Sequence, residues 1–166
     1  MPESVESQLD LDNHLWVLLQ RARSVASRTR NLELAQYEMT IEQMAILHSI
    51  LMSGGSATVD EIAAIVIRQK NSVTTLIDRM AKSGLVKKKK GKTDKKYRIS
   101  VTPKALDIIN KVPRKSIEML FSKFEAKEKE EMVSLLDRIV NTGLALLGEN
   151  YIPPFLTKAQ INQNEK

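Results

Sequence analysis

The chain has no cysteine in its 166 residues. That absence removes disulfide scaffolds, thiolate zinc sites and thiol redox sensing together, and it suits a reducing cytoplasm. Histidine is scarce too, with only His14 and His48, and no acid–base or nucleophile constellation is visible. The chain is therefore not expected to be an enzyme or to need a cofactor. Gly91-Lys92-Thr93 looks like the end of a phosphate-binding loop, but Val86 stands where the motif needs its first glycine. Aromatics make up only 4% of the chain, and Tyr97 alone falls in the basic region. A reader of single-stranded RNA would want more stacking surface. Long apolar runs are also missing. The longest, Ile62 to Ile67, is far short of the ~20 residues that cross a bilayer, and the acidic first ten residues do not read as a signal peptide. No membrane partner is expected, and the expected compartment is the cytoplasm.

What is present is positive charge, and it is concentrated. Nine basic residues and one acid, Asp94, lie between Lys82 and Arg98, so this segment carries +8 in a chain whose net charge is +6. The remainder sums to −2. A cationic patch on a near-neutral body is the footprint of a polyanion binder, although a solvated loop or a localisation signal would look the same in isolation.

Apolar spacing divides the chain. Leu11, Leu15, Leu18, Leu19, Ala22, Val25 and Ala26 recur at three and four, predicting a first helix from about Leu9 into the 28–36 region. Thr40 with Gln43 opens a second helix, whose stripe is Met44, Leu47, Ile50 and Leu51 and which stops at Ser53-Gly54-Gly55. Thr58 with Glu61 opens a third, expected to be largely buried. After a break near Arg68 to Asn71, a fourth helix runs to Gly84. Then the period changes to two. Leu85 and Val86 begin one strand, Lys90 to Asp94 make the turn, and Tyr97, Ile99 and Val101 form the inward face of the next. Thr102-Pro103 starts another helix, which Pro113 should kink or interrupt, and a last helix spans about Ala126 to Leu147. The tail after Gly148 reads as irregular.

The fold class is thus mainly α with a small β-hairpin wing, a winged helix-turn-helix carrying long N- and C-terminal helices. The boundaries fall at 1–38 for an N-terminal dimerisation helix, 39–101 for the winged unit, 102–148 for C-terminal dimerisation helices and 149–166 for the tail. The terminal helices carry more apolar stripe than the middle can cover, which predicts a homodimer. On the fourth helix, Val73, Leu76, Ile77 and Met80 share one face, opposite Asn71, Thr75, Asp78 and Lys82. The N-terminal end of such a helix is the end that meets base edges, where asparagine pairs with adenine and threonine offers a hydroxyl or a methyl. Candidate DNA contacts are Asn71, Ser72, Thr74, Thr75, Arg79 and Lys82 on the helix, and Lys88, Lys90, Lys92, Asp94, Lys95, Lys96 and Arg98 on the hairpin. A protein-interaction adaptor is the competing reading, but it has no need of so many lysines.

Residues Asn71 to Val86, the lysine-rich hairpin and Thr102-Pro103-Lys104-Ala105 resemble the recognition helix, wing and following helix of the MarR (multiple antibiotic resistance regulator) family, and Thr58 to Ala64 looks like that family's first helix of the turn. The resemblance covers roughly Leu9 to Leu147. It implies a triangular homodimer on pseudo-palindromic double-stranded DNA, repressing nearby genes and released by a small aromatic or anionic effector. The implied effector pocket is lined by the first, second and fifth helices, near Trp16, Tyr37, Met44 and His48. Two positions depart from the family. Asp94-Lys95-Lys96 replaces an aspartate followed by arginine in the wing, which favours phosphate attraction over minor-groove reading. Ile67 stands in the turn where a small residue is usual.

Overall fold

The computed structural model describes residues 3–91 and 96–149. Lys92, Asp94 and Lys95 and the tail from residue 150 onward lie outside the described residues. In chain order the elements are α1 (Glu3–Ala35), α2 (Ile41–Met52), β1 (Ser56–Thr58), α3 (Val59–Ile65), α4 (Lys70–Lys82), β2 (Val86–Lys90), β3 (Tyr97–Val101), α5 (Pro103–Lys111), α6 (Lys115–Leu120) and α7 (Ala126–Leu146). They separate into two units, one of Met1–Ile41 with Pro113–Lys123 and the other of Glu42–Val112 with Phe124–Lys166.

In the first unit, α1 is a 33-residue helix with solvent-facing apolar positions, among them Leu15 (57% exposed), Trp16 (62%) and Leu32 (75%). Its C-terminal end is closed instead. Leu34 and Met39 are buried, and so is Arg30, whose Nη1 donates to the Pro113 carbonyl (2.7 Å) and pairs with Glu33. Glu33 also accepts from the Ser116 amide (3.2 Å) and hydroxyl, fastening the start of α6 to α1. The Ser116 hydroxyl first, then its amide and Arg30, hold the Glu33 carboxyl below its ordinary value, against the opposing effect of burial.

The second unit has a dense core of Met44, Ile46, Leu47, Ile50, Ala57, Ile62, Val73, Ile77, Met80, Leu85, Val86 and Ile99. Helix α2 buries a wider face than its expected stripe. Ile46 is 2% exposed, whereas Leu51, read as part of the stripe, is 37% exposed. Gly54 and Gly55 (φ +81° and +89°) turn the chain out of α2, a conformation that a side chain would strain. Helix α3 then opens on a complete capping box, with Thr58 Oγ1 accepting from the Glu61 amide and Glu61 Oε2 accepting from the Thr58 amide (2.7 Å). Its burial is narrower than expected. Only Ile62 and Ala63 are buried, because a seven-residue helix turns just one side to the core.

The sheet corrects the sequence reading in one respect. It has three strands in the order β1-β3-β2, all antiparallel, so the hairpin is joined by a short third strand through Ser56↔Ser100, Ala57↔Ile99 and Thr58↔Arg98. Helix α5 starts as expected, Thr102 Oγ1 accepting from the Ala105 amide (3.2 Å) with Pro103 in the first turn. It ends before Pro113, and α6 follows as a separate helix. Helix α7 buries no residue at all, leaving Leu135, Leu136, Ile139 and Val140 between 43% and 56% exposed.

Candidate nucleic-acid interface

Helix α4 is positioned by its apolar side. Val73, Ile77 and Met80, at spacings of four and three, are each at most 2% exposed. The same periodicity leaves Asn71, Ser72, Thr75, Arg79 and Lys82 exposed, with Thr74 and Asp78 half-buried beside them. All six helix residues singled out from the sequence thus lie on the outer side of α4 or flank it.

The two threonines are more constrained than the sequence implies. Thr74 Oγ1 donates to the Lys70 carbonyl (2.9 Å) and Thr75 Oγ1 to the Asn71 carbonyl (3.0 Å). With the hydroxyl proton committed to the helix, each offers outward only acceptor lone pairs and a methyl group. Adenine or cytosine amino groups and the thymine methyl are the base features that match.

At its start α4 follows Gln69, whose side chain makes no capping hydrogen bond. The turn before it passes through Ile67 at φ +50°. A β-branched residue in the left-handed region is strained, the physical reason a small residue is usual there. At its other end Gly84 (φ +76°) reverses the chain, and the Leu85 amide donates to the Met80 carbonyl (2.8 Å). Thr102 Oγ1 donates to the Gly84 carbonyl (2.7 Å), tying the start of α5 to this reversal.

The wing follows directly. Strands β2 and β3 pair as Val86↔Val101, Lys88↔Ile99 and Lys90↔Tyr97, which puts Lys88, Lys90 and Tyr97 on the face of buried Ile99. Lys87, Lys89 and Arg98 fall on the opposite face. Lys88, Lys90, Lys96 and Arg98 are all exposed in the wing, as the charge run suggested. Tyr97 is a correction. It was read as inward-facing and is 53% exposed, because the hairpin reaches past the core by the time it gets to this rung. Lys88 is not a simple surface cation either, since its Nζ lies 2.5 Å from Asp78 Oδ1 on α4 and 5.7 Å from the centre of the Tyr97 ring. Lys87 and Lys89 were not singled out from the sequence. Strand alternation, applied to the run as a ladder, places them beside Arg98.

This order of helices and hairpin has counterparts. Residues 39–97 match the MarR family model. Over this stretch the chain is similar to that family. Its winged helix-turn-helix resembles the ligand-free organohalide-sensing RdhR-CbdbA1625 transcriptional regulator at 26% identity, over 86% of this chain and 89% of that one, with a TM-score of 0.78. The same regulator is also solved with 2,4-dichlorophenol bound. A mutant of Escherichia coli MarR complexed with operator DNA matches at 21% identity, covering 75% of this chain and 92% of that one, TM-score 0.71. Staphylococcus aureus MepR, in complex with DNA, matches at 18% identity over 75% and 93%, TM-score 0.67. No curated protein sequence matches the chain. Among the described residues no helix is long and apolar enough to cross a membrane.

Proposed function

We propose that the chain is a homodimeric transcriptional regulator that acts in the cytoplasm by binding a pseudo-palindromic double-stranded DNA site, not by catalysis. Helix α4 lies in the major groove, and the lysine-rich wing follows the backbone toward the minor groove. One observation carries the reading: a helix with short polar side chains facing outward leads, through a single glycine reversal, into a ladder of exposed lysines. Lysines supply sequence-independent attraction and α4 supplies sequence choice. The solved complexes of MarR with operator DNA and of MepR with DNA support the DNA-binding reading.

The apolar positions left exposed on α1 and α7 support the homodimer, because stripes of that length are rarely left to water. The regulator is further proposed to be a repressor released by a small aromatic or anionic molecule, as the dichlorophenol-bound neighbour suggests. A cavity of about 460 Å³ on α1 and α6 combines Leu32, Met119 and Leu120 with Lys115, Gln36 and Thr29, a lining suited to such a molecule. None of Trp16, Tyr37, Met44 and His48 lines it; Met44 is in the core and Trp16 is exposed.

Anisotropy titration of a random duplex at rising salt tests the DNA reading. Log affinity should fall linearly with log salt, by about 0.9 for every phosphate neutralised. A flat response removes the role given to the lysines, and a solution mass of one subunit removes the dimer.

A further inference from the structure

The Asp78–Lys88 pair joins the helix that carries the proposed base contacts to the strand that carries the wing. Asp78 lies one turn beyond Thr74 and Thr75 on α4, with its side chain 47% exposed. Lys88 occupies the rung of β2 opposite Ile99, which is fully buried. Apolar packing of the hairpin ends at that rung. The next rung on the same face, Lys90↔Tyr97, is already exposed. Where packing stops, the Lys88 ammonium meets Asp78 Oδ1 at 2.5 Å and lies 5.7 Å from the centre of the Tyr97 ring. A lysine whose charge is held by a carboxylate and an aromatic face is a poor phosphate contact. A carboxylate engaged in the same pair is a poor acceptor for a cytosine amino group.

We propose that Asp78 and Lys88 are positioning residues that set the wing against the recognition helix, so that Lys88, alone among the exposed lysines of β2, serves sequence discrimination and not phosphate attraction. The proposal rests on the DNA-binding reading above. Lys90, on the same face but one rung further out, has no ion pair among the described residues and is the internal control.

The two roles leave opposite signatures in a salt titration. Lys90→Met should flatten the log–log slope by about 0.9, the share of one phosphate. Lys88→Met should leave the slope within about a third of that share, while the ratio of affinities for a duplex selected from a random pool and for an unselected duplex falls on the order of tenfold. Asp78→Asn should lower the same ratio yet tighten binding to the unselected duplex and steepen the slope by about 0.9, because Lys88 is released to a phosphate. In Asp78→Asn/Lys88→Met the slope should return to that of the natural chain, with discrimination no worse than in either single variant.

A loss of slope in Lys88→Met equal to that in Lys90→Met would overturn the proposal, and so would unchanged discrimination in Asp78→Asn. Additive losses in the double variant would overturn it too. A natural chain that binds neither duplex takes down the DNA-binding reading itself, a result distinguishable from all the others and equally fatal here.

Discussion

The two helices of the turn begin in opposite ways. Helix α3 is closed, since Thr58 and Glu61 satisfy each other's backbone donors and leave little for an outside group. Helix α4 has no side-chain cap at Gln69, so its first amides and the positive end of its dipole stay unengaged by a capping side chain. One helix is finished within the protein, while the other begins in a way that suits an anion, as a helix meeting a DNA backbone should. The short helix that supports the fold is capped, and the helix proposed to face DNA lacks that stabilisation.

Five substitutions would break or sharpen this contrast. The largest effect belongs to the inner side of α4. Ile77→Ala, at a position with no exposure, should cost about 2–5 kcal/mol of folding stability in denaturant titration. Its outer-face counterpart, Thr75→Ala, should leave stability nearly unchanged but weaken binding to a selected duplex by roughly 1–3 kcal/mol, with little effect on unselected DNA. Equal losses on both duplexes would remove Thr75 from the base-reading set.

Next in size is the cap of α3. Thr58→Ala should lower stability by about 1–2 kcal/mol, measured in the same way. Gln69→Asp supplies α4 with the cap it lacks and should raise stability by about 0.5–1 kcal/mol. The added carboxylate should weaken DNA binding, and unchanged affinity would show that this end of α4 is not near phosphate. Smallest is the turn between the helices, where Ile67→Gly should relieve left-handed strain and raise the unfolding midpoint, a net gain of less than about 1 kcal/mol once the entropy of the unfolded glycine is set against it.

Much of the fold was readable because its signals are local. Thr58 with Glu61, Thr102-Pro103 and Gly84 each mark a boundary through chemistry contained within four residues, and the two faces of α4 follow from helical spacing alone. Features that depend on distant partners were not readable. Strand β1 is three residues long, too short for alternation to register, and it exists because β3 offers an open edge. The alternation of Tyr97, Ile99 and Val101 identified a common face but not its depth, so the exposure of Tyr97 went unseen. Lys88 was indistinguishable from its neighbours in a run of four lysines until Asp78, ten residues away, was placed beside it. The left-handed turn at Ile67 contradicts the residue's own preference, and no local rule would assign it.

Thr58 has a further consequence, because it belongs to two elements at once: it is the last residue of β1, paired with Arg98 in the wing, and the cap of α3. A pull on the wing is therefore felt by the front helix of the turn with no slack loop between them. Wing and turn should seat on a duplex as one stiff piece, so tolerance for different spacings between half-sites has to come from bending of the DNA or from joints outside this unit.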